Sequence, residues 1–383
     1  MNLNDSKKDI QHILLEWFSD NGRNWIPWKL NRDGFPPAVG ECISPYQIWI
    51  AEVMLQQTQL KVVIPYWEKW MKTFPDLCEL EEADEQEVLL QWQGLGYYSR
   101  AKRLHQSSKL LIKLIGKEKS QYSSSWPIEI DQWISLPGIG RSTAGSIISS
   151  AFDLPTPILD GNVKRILTRL IASNRTYRQN TEKLWAFSTV LIHSVDSPRN
   201  FNQALMDLGA MVCTNQKPKC SICPLQNCCL AYIKYDPVDF PKKSMKKIIP
   251  IQQIGIGLVF NKERKLLIDQ RLESSSMGGM WEFPGGKKEP QESIEQTIER
   301  EIREEIGIDI IIGEKLLSFE HMYSHKKLHF IVHLCEWKSG KPKPLASQKL
   351  CWVSPDRLYD YPFPAANTRI INELHKFLRF EDK

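Results

Sequence analysis

Leu136-Pro137-Gly138-Ile139-Gly140-Arg141-Ser142-Thr143-Ala144-Gly145 leads into an apolar stretch of helical spacing. Two glycines in a tight turn before a helix leave backbone N–H groups free to meet a phosphate. A purely structural turn fits the bare pattern equally well. Twenty residues beyond Gly140 stands Asp160, within Pro157-Ile158-Leu159-Asp160-Gly161-Asn162-Val163-Lys164-Arg165. Aspartate ahead of a helix is most often an N-cap. Lys164, Arg165 and the helix dipole are expected to keep this one ionised. Upstream, Ser44-Pro45 is a good helix start, and Ile48, Trp49, Ile50, Val53, Met54 and Leu55 make the next helix apolar nearly all round. Glu52 lies in its middle, where desolvation should raise its pKa and keep a proton on it. A structural, paired glutamate is the alternative. One carboxyl held neutral and another held negative suit the breaking of a glycosidic bond through a cationic sugar transition state.

The helical pattern extends from Asp9 to about Tyr235. Asp236-Pro237, Phe240-Pro241 and Lys242, Lys243, Lys246 and Lys247 then read as an exposed basic linker over 236–250. After Pro250 the period changes. Strands are expected at Ile254 to Leu258, Leu266 to Ile268, Leu328 to Glu336 and Leu350 to Val353. A charged helix is expected from Ser293 to Glu305 and a terminal helix from about Thr368. The 383 residues thus divide into an all-helical part, 1–235, and an α+β domain, 251–383. With 42% hydrophobic and 25% charged residues, a disordered chain and a fibre are excluded. Neither an apolar run of membrane length nor an apolar signal core is present, so the expected compartment is cytoplasmic and reducing. A net charge of +5 is only a weak pointer to an anionic partner.

Of nine cysteines, Cys213, Cys220, Cys223, Cys228 and Cys229 fall within seventeen residues. Clustered cysteines in a reducing compartment point to metal rather than to disulfides. Cys213, Cys220, Cys223 and Cys229 are spaced by six, two and five residues. Four thiolates on a short loop suit an iron–sulfur cluster or zinc, and density alone does not separate them. Lys217 and Lys219 face phosphates or solvent.

The hairpin, the aspartate and the cysteine spacing together resemble the helix-hairpin-helix DNA glycosylases with a [4Fe-4S] cluster. Ala51-Glu52-Val53-Met54-Leu55-Gln56-Gln57-Thr58-Gln59, Gly94-Leu95-Gly96-Tyr97-Tyr98-Ser99-Arg100, the Asp160 segment and Asn202 to Met211 narrow the resemblance to the MutY adenine DNA glycosylases, over about residues 9–235. The resemblance implies removal of adenine mispaired with 8-oxoguanine (or guanine) in double-stranded DNA. It implies that Glu52 protonates the adenine N7, Asp160 stabilises the oxocarbenium-like sugar and Asn162 supports that site. Gln57 and Tyr97 would enter the base stack while adenine is flipped out, since the bond is out of reach in a stacked duplex. Gly138, Gly140, Arg141 and Ser142 would meet the DNA. Related strand-cutting glycosylases carry a lysine where this chain has Ser142, and a serine forms no imine, so base removal without lyase activity is expected. The segment between Trp28 and Tyr46 departs from the family and has no functional reading.

In the later domain Gly286, Glu292 and Arg300-Glu301-Ile302-Arg303-Glu304-Glu305-Ile306-Gly307-Ile308 match a complete Nudix box. Glu301, Glu304 and Glu305 would share a helix face, where like charges repel and Mg²⁺ would relieve them. A solvated charged helix is the alternative. The domain resembles the MutT hydrolases of 8-oxo-dGTP through Trp281 to Lys287 and Pro364-Ala365-Ala366-Asn367, whose Asn367 would bind the oxidised purine. Tyr323-Ser324-His325 resembles the lesion-reading element of the MutY family. The overall expectation is a monomeric, monofunctional adenine DNA glycosylase with an α+β Nudix domain that reads 8-oxoguanine. A strand-cutting relative, a lesion-binding protein without catalysis and a nucleotide-pool hydrolase are the alternatives.

Overall fold

The computed structural model describes residues 3–242, 250–323 and 326–381. The chain forms two compact units, one of residues 1–82 with 103–246, the other of 83–102 with 247–383. This division differs in one respect from the expected one, with its linker at 236–250. Residues 83–102, which carry the Gly94 to Arg100 motif, belong to the second unit. Gln86 explains why: it donates to the Gly279 carbonyl (2.9 Å) and accepts from the Trp281 indole (3.0 Å). Lys102 also pairs with Glu85 and Glu273 within that unit.

The first unit is helical. Ser44 caps the helix Pro45–Leu55 by accepting from the Gln47 amide. Eight of its residues are buried, as its all-round apolarity predicts. It packs against the hairpin helix Arg141–Phe152 and against Leu60–Thr73. The helix Pro198–Met211 packs on the hairpin helix, on Gly161–Leu170 and on the N-terminal helix. Phe201, Ala204, Leu205 and Leu208 bury that contact together with Leu14, Phe18, Val163, Ile166 and Leu167. Trp49 and Trp133 are fully buried, and Trp126 stacks on Trp133 at 6.0 Å. This framework brings the middle of Pro45–Leu55 and the start of Gly161–Leu170 to one place.

The second unit is built on seven strands: β1 Ile251–Phe260, β2 Leu266–Arg271, β3 Trp281–Glu282, β4 Gly285–Lys287, β5 Ile308–Tyr323, β6 Lys326–Gly340 and β7 Ser347–Val353. The main order is β3-β2-β1-β6-β5, with β4 on β1 and β7 on β2. β1 and β6 run parallel, pairing Ile254 with Phe330 and Leu258 with Leu334. Alternation along β2 sends Leu266 and Ile268 to one face and Leu267 to the other. The first face packs on the terminal helix Ala365–Glu381 through Ile370, Ile371 and Leu374. The second packs on Ile294–Ile306 through Ile298 and Ile302. Ser293 and Gln296 form a capping box at the start of that helix. Among the described residues no helix is long and apolar enough to cross a membrane.

Candidate active site

A cleft of about 690 Å³ opens in the helical unit, lined among others by Arg23, Glu52, Ser142, Ser146, Asp160 and Asn162. Glu52 projects from the apolar helix to the cleft floor. Burial pushes its carboxyl up to about 7; the Ser146 hydroxyl and Lys29 oppose the rise, and the charge of Asp160 adds to it. The Ser146 hydroxyl has no partner at full hydrogen-bond geometry. Behind Glu52 lies a small cavity of about 30 Å³ walled by Trp28, Lys29, Pro36, Pro37, Arg199 and Gln203. The Trp28 to Tyr46 segment thus forms the back wall of the carboxyl's surroundings.

Asp160 caps the helix Gly161–Leu170, its Oδ1 accepting from the Val163 amide at 2.7 Å. The strap before it is pinned on several sides. The Leu159 amide donates to Ser142 Oγ (2.9 Å), Ser188 Oγ donates to the Ile158 carbonyl (2.7 Å) and Asn202 Nδ2 to the Thr156 carbonyl (2.9 Å). Ser142 is therefore engaged with the backbone next to Asp160. Arg165 is engaged beside Asp160, at Asn162. It donates to Asn162 Oδ1 (2.8 Å) and to the carbonyls of Gly209 (2.7 Å) and Cys213 (2.7 Å). Gly209 makes this possible, since a Cβ there would stand 2.5 Å from the Asn162 Cβ.

Gly138, at φ +81°, shapes the hairpin turn, and open space surrounds Gly140 at the head of the next helix. Arg141 lies over the Trp185 ring at 4.2 Å. Gln57 is exposed with φ +61°, a left-handed backbone unusual for a non-glycine residue. In the second unit Tyr97 is also exposed and left-handed, at φ +48°. Its turn is held by Arg100 Nη2, which donates to the carbonyls of Leu95 (3.3 Å) and Gly96 (3.1 Å).

Several site residues escaped the sequence reading. Asp207 is fully buried and accepts from the Arg23 amide (2.8 Å), Arg23 Nε (2.9 Å) and Lys29 Nζ (3.4 Å). Burial lowers Lys29 to about 8, against the pull of Asp207. The signal was present: Asp207 interrupts the apolar face of Phe201, Ala204, Leu205 and Leu208, and a buried carboxylate needs a cation.

Cys213, Cys220, Cys223 and Cys229 line one small cavity of about 20 Å³ with Arg169, Tyr232 and Pro237; Cys228 does not line it. Burial pushes the Cys223 thiol up to about 12. No three His, Cys, Asp or Glu side chains among the described residues converge on a position for one ion.

In the Nudix box, Arg300 pairs with Glu292 (2.6 Å), Glu301 (2.9 Å) and Glu304 (3.1 Å). Arg300 thus draws three carboxylates of the box together. Glu305 is separate, pushed up to about 7 by burial and by Glu282 and Glu301. Tyr323 lies edge-on to His321 at 4.6 Å and is pushed up to about 12 by burial. Ser324 and His325 lie outside the described residues. Asn367 is buried at the start of the terminal helix.

Residues 50–188 match the HhH-GPD superfamily of base excision DNA repair proteins, and 255–373 match the NUDIX domain. An adenine DNA glycosylase of Buchnera aphidicola subsp. Schizaphis graminum is 33% identical over 94% of this chain and 97% of its own length. The chain belongs to the adenine DNA glycosylases. Another adenine DNA glycosylase, of Mus musculus, is 32% identical over 84% of this chain and 69% of its own. A thermostable thymine-DNA glycosylase shares the fold at a TM-score of 0.50, 24% identity and 60% of this chain (98% of that one). As an adenine DNA glycosylase, the chain is a base-excision repair hydrolase of N-glycosyl bonds with a Nudix domain.

Proposed function

We propose that Glu52 is the general acid and Asp160 the anion of a monofunctional excision of adenine opposite 8-oxoguanine or guanine in duplex DNA. The observation that carries this is the presence of both carboxyls on one cleft, Glu52 with its carboxyl pushed up by burial and Asp160 fixed at a helix N-terminus. Burial keeps a proton available on Glu52 near neutral pH, so it can be given to the departing purine at N7. Asp160, fixed by its cap bond and the pinned strap, faces the positive charge that develops on the sugar. Asn162, held by Arg165, lies beside it. Exposed Gln57 and Tyr97, each held in a left-handed turn, suit insertion into a base stack. The backbone around Gly140 suits a phosphate.

Ser142 offers no amine, and its oxygen is engaged with the Leu159 amide. Excision therefore proceeds without strand cleavage. Tyr323 and Asn367 are the groups that read 8-oxoguanine in the second unit. Mg²⁺ at Glu301, Glu304 and Glu305 with hydrolysis of 8-oxo-dGTP is the second reading for that unit, supported by the crowding of Glu305 against Glu282 and Glu301.

The four cysteines line one cavity, and together with the kinship to adenine DNA glycosylases this supports a [4Fe-4S] cluster. In a four-iron cluster each thiolate binds a separate corner. Its contribution is structural, shaping the loop that carries Lys217 and Lys219.

The test is adenine release and strand cleavage on duplexes with adenine opposite 8-oxoguanine, guanine or thymine. Adenine should be released opposite the first two, with no cleavage and no borohydride-trapped adduct. Release opposite thymine alone, or a trapped adduct, would overturn the reading.

A further inference from the structure

Residues 236–240 read as linker in the sequence, yet in the structure they are part of the cysteine site. Asp236 Oδ1 accepts from the Val238 amide (2.9 Å) and caps a 3-10 turn, Pro237–Asp239. Phe240 is buried and packs on Tyr235 at 5.7 Å. Pro237 lines the cavity of the four cysteines.

Arg169 connects these parts. It is 1% exposed, on the helix that Asp160 caps. Its Nε donates to the carbonyls of Pro237 (2.8 Å) and Phe240 (3.2 Å). Its Nη1 donates to the Thr214 carbonyl (2.7 Å) and lies 3.2 Å from Cys213 Sγ; its Nη2 donates to the Asn215 carbonyl (3.0 Å). One buried guanidinium thus ties the strap Pro237 to Phe240, the start of the cysteine loop and Cys213 to the helix that Asp160 caps.

We infer that Asp236–Phe240 is the closing wall of the cluster site, latched by Arg169, and that this latch sets how firmly the chain retains its cluster. The inference rests on the iron–sulfur reading of the four cysteines. Arg169 is a positioning residue: it touches one ligand sulfur, the two residues that follow it, and the strap that covers the cavity. Opening the latch exposes the cavity on the Pro237 side without removing any cysteine.

The experiment compares the full-length wild type with Arg169→Gln and Phe240→Ala, each loaded with iron and sulfide. Iron per chain is measured first, and then the rate at which iron passes to a ferrous chelator, with far-ultraviolet circular dichroism as the folding control. Arg169→Gln should release iron at least about tenfold faster, as loss of a supporting partner does at other metal sites. Phe240→Ala, which leaves every Arg169 acceptor in the backbone, should also be faster than wild type. If Arg169→Gln does not fold, Phe240→Ala carries the test alone. Wild-type release rates in both variants would overturn the inference. Fast release in Arg169→Gln with a wild-type rate in Phe240→Ala would overturn the wall and leave only the thiolate contact. Zinc in place of iron in the purified wild type would sink the cluster reading instead. The latch would then be judged by zinc release from the same variants, with the same expected order.

Discussion

Glu52 and Asp160 line one cleft, and the different roles proposed for them rest on their different surroundings. Glu52 has a folded pKa near 7, raised from 4.5. Its burial therefore costs nothing below the unfolded pKa and costs stability as pH rises through about 7. Glu52→Gln should match the wild-type thermal midpoint near pH 4.5 and exceed it at pH 8, by up to about 3 kcal/mol. Melting curves at the two pH values check this, and an equal difference at both would contradict it. Asp160 separates cap from charge. Asparagine caps as well as aspartate, so Asp160→Asn should keep stability within about 0.5 kcal/mol. It should nevertheless lower single-turnover adenine release by at least about 10²-fold. A large loss of stability with intact release would reduce Asp160 to a helix cap. Both carboxyls were legible in the sequence because each sat in a local context with a plain consequence, an apolar helix or a helix start. The pairing of Asp207 with Arg23 and Lys29 was not, because the cations lie 184 and 178 residues away.

At the scale of elements, the site depends on close passage between Pro198–Met211 and the start of Gly161–Leu170. Gly209 is the point of contact with Asn162. Gly209→Ala should destabilise by about 1–3 kcal/mol and slow excision by displacing Asn162. A thermal midpoint and a rate both equal to wild type would remove Gly209 from the account. Ser44-Pro45, Ser293 and the apolar periodicities placed their helices correctly because caps and faces are local signals. β5 was missed. It runs sixteen residues, but much of it is exposed, and register shifts at Asp309/Ile310, Ile312/Lys315 and Lys315/Leu317 break the alternation that reveals a strand. Of the expected linker, 243–249 lie outside the described residues, and the packing of 236–240 was hidden for a related reason. Prolines and lysines mark exposed chain, and nothing local shows that Arg169, 71 residues back from Phe240, holds it.

For the whole molecule, the helical unit carries the proposed excision chemistry and the second unit the proposed reading of the opposite base. The assignment of residues 83–102 to the second unit was invisible in sequence because Gln86 meets Gly279 and Trp281 across some 190 residues. If reading belongs to Tyr323 and Asn367, replacing both with alanine should lower the preference for adenine opposite 8-oxoguanine over adenine opposite guanine by about tenfold, the worth of a lost hydrogen bond. Release opposite guanine should change little. Equal losses on both duplexes would place those residues in general DNA binding or folding. The central claim is a proton held on Glu52 near neutral pH, facing a fixed anion. It is tested most directly by the single-turnover rate of adenine release from an adenine·8-oxoguanine duplex between pH 5 and 9, for the wild type and Glu52→Gln. The expected wild-type rate falls as pH rises through about 7, and the variant is slower by about 10²–10⁴-fold with no such fall. A Glu52→Gln chain that releases adenine at the wild-type rate, with the same pH profile, would contradict it.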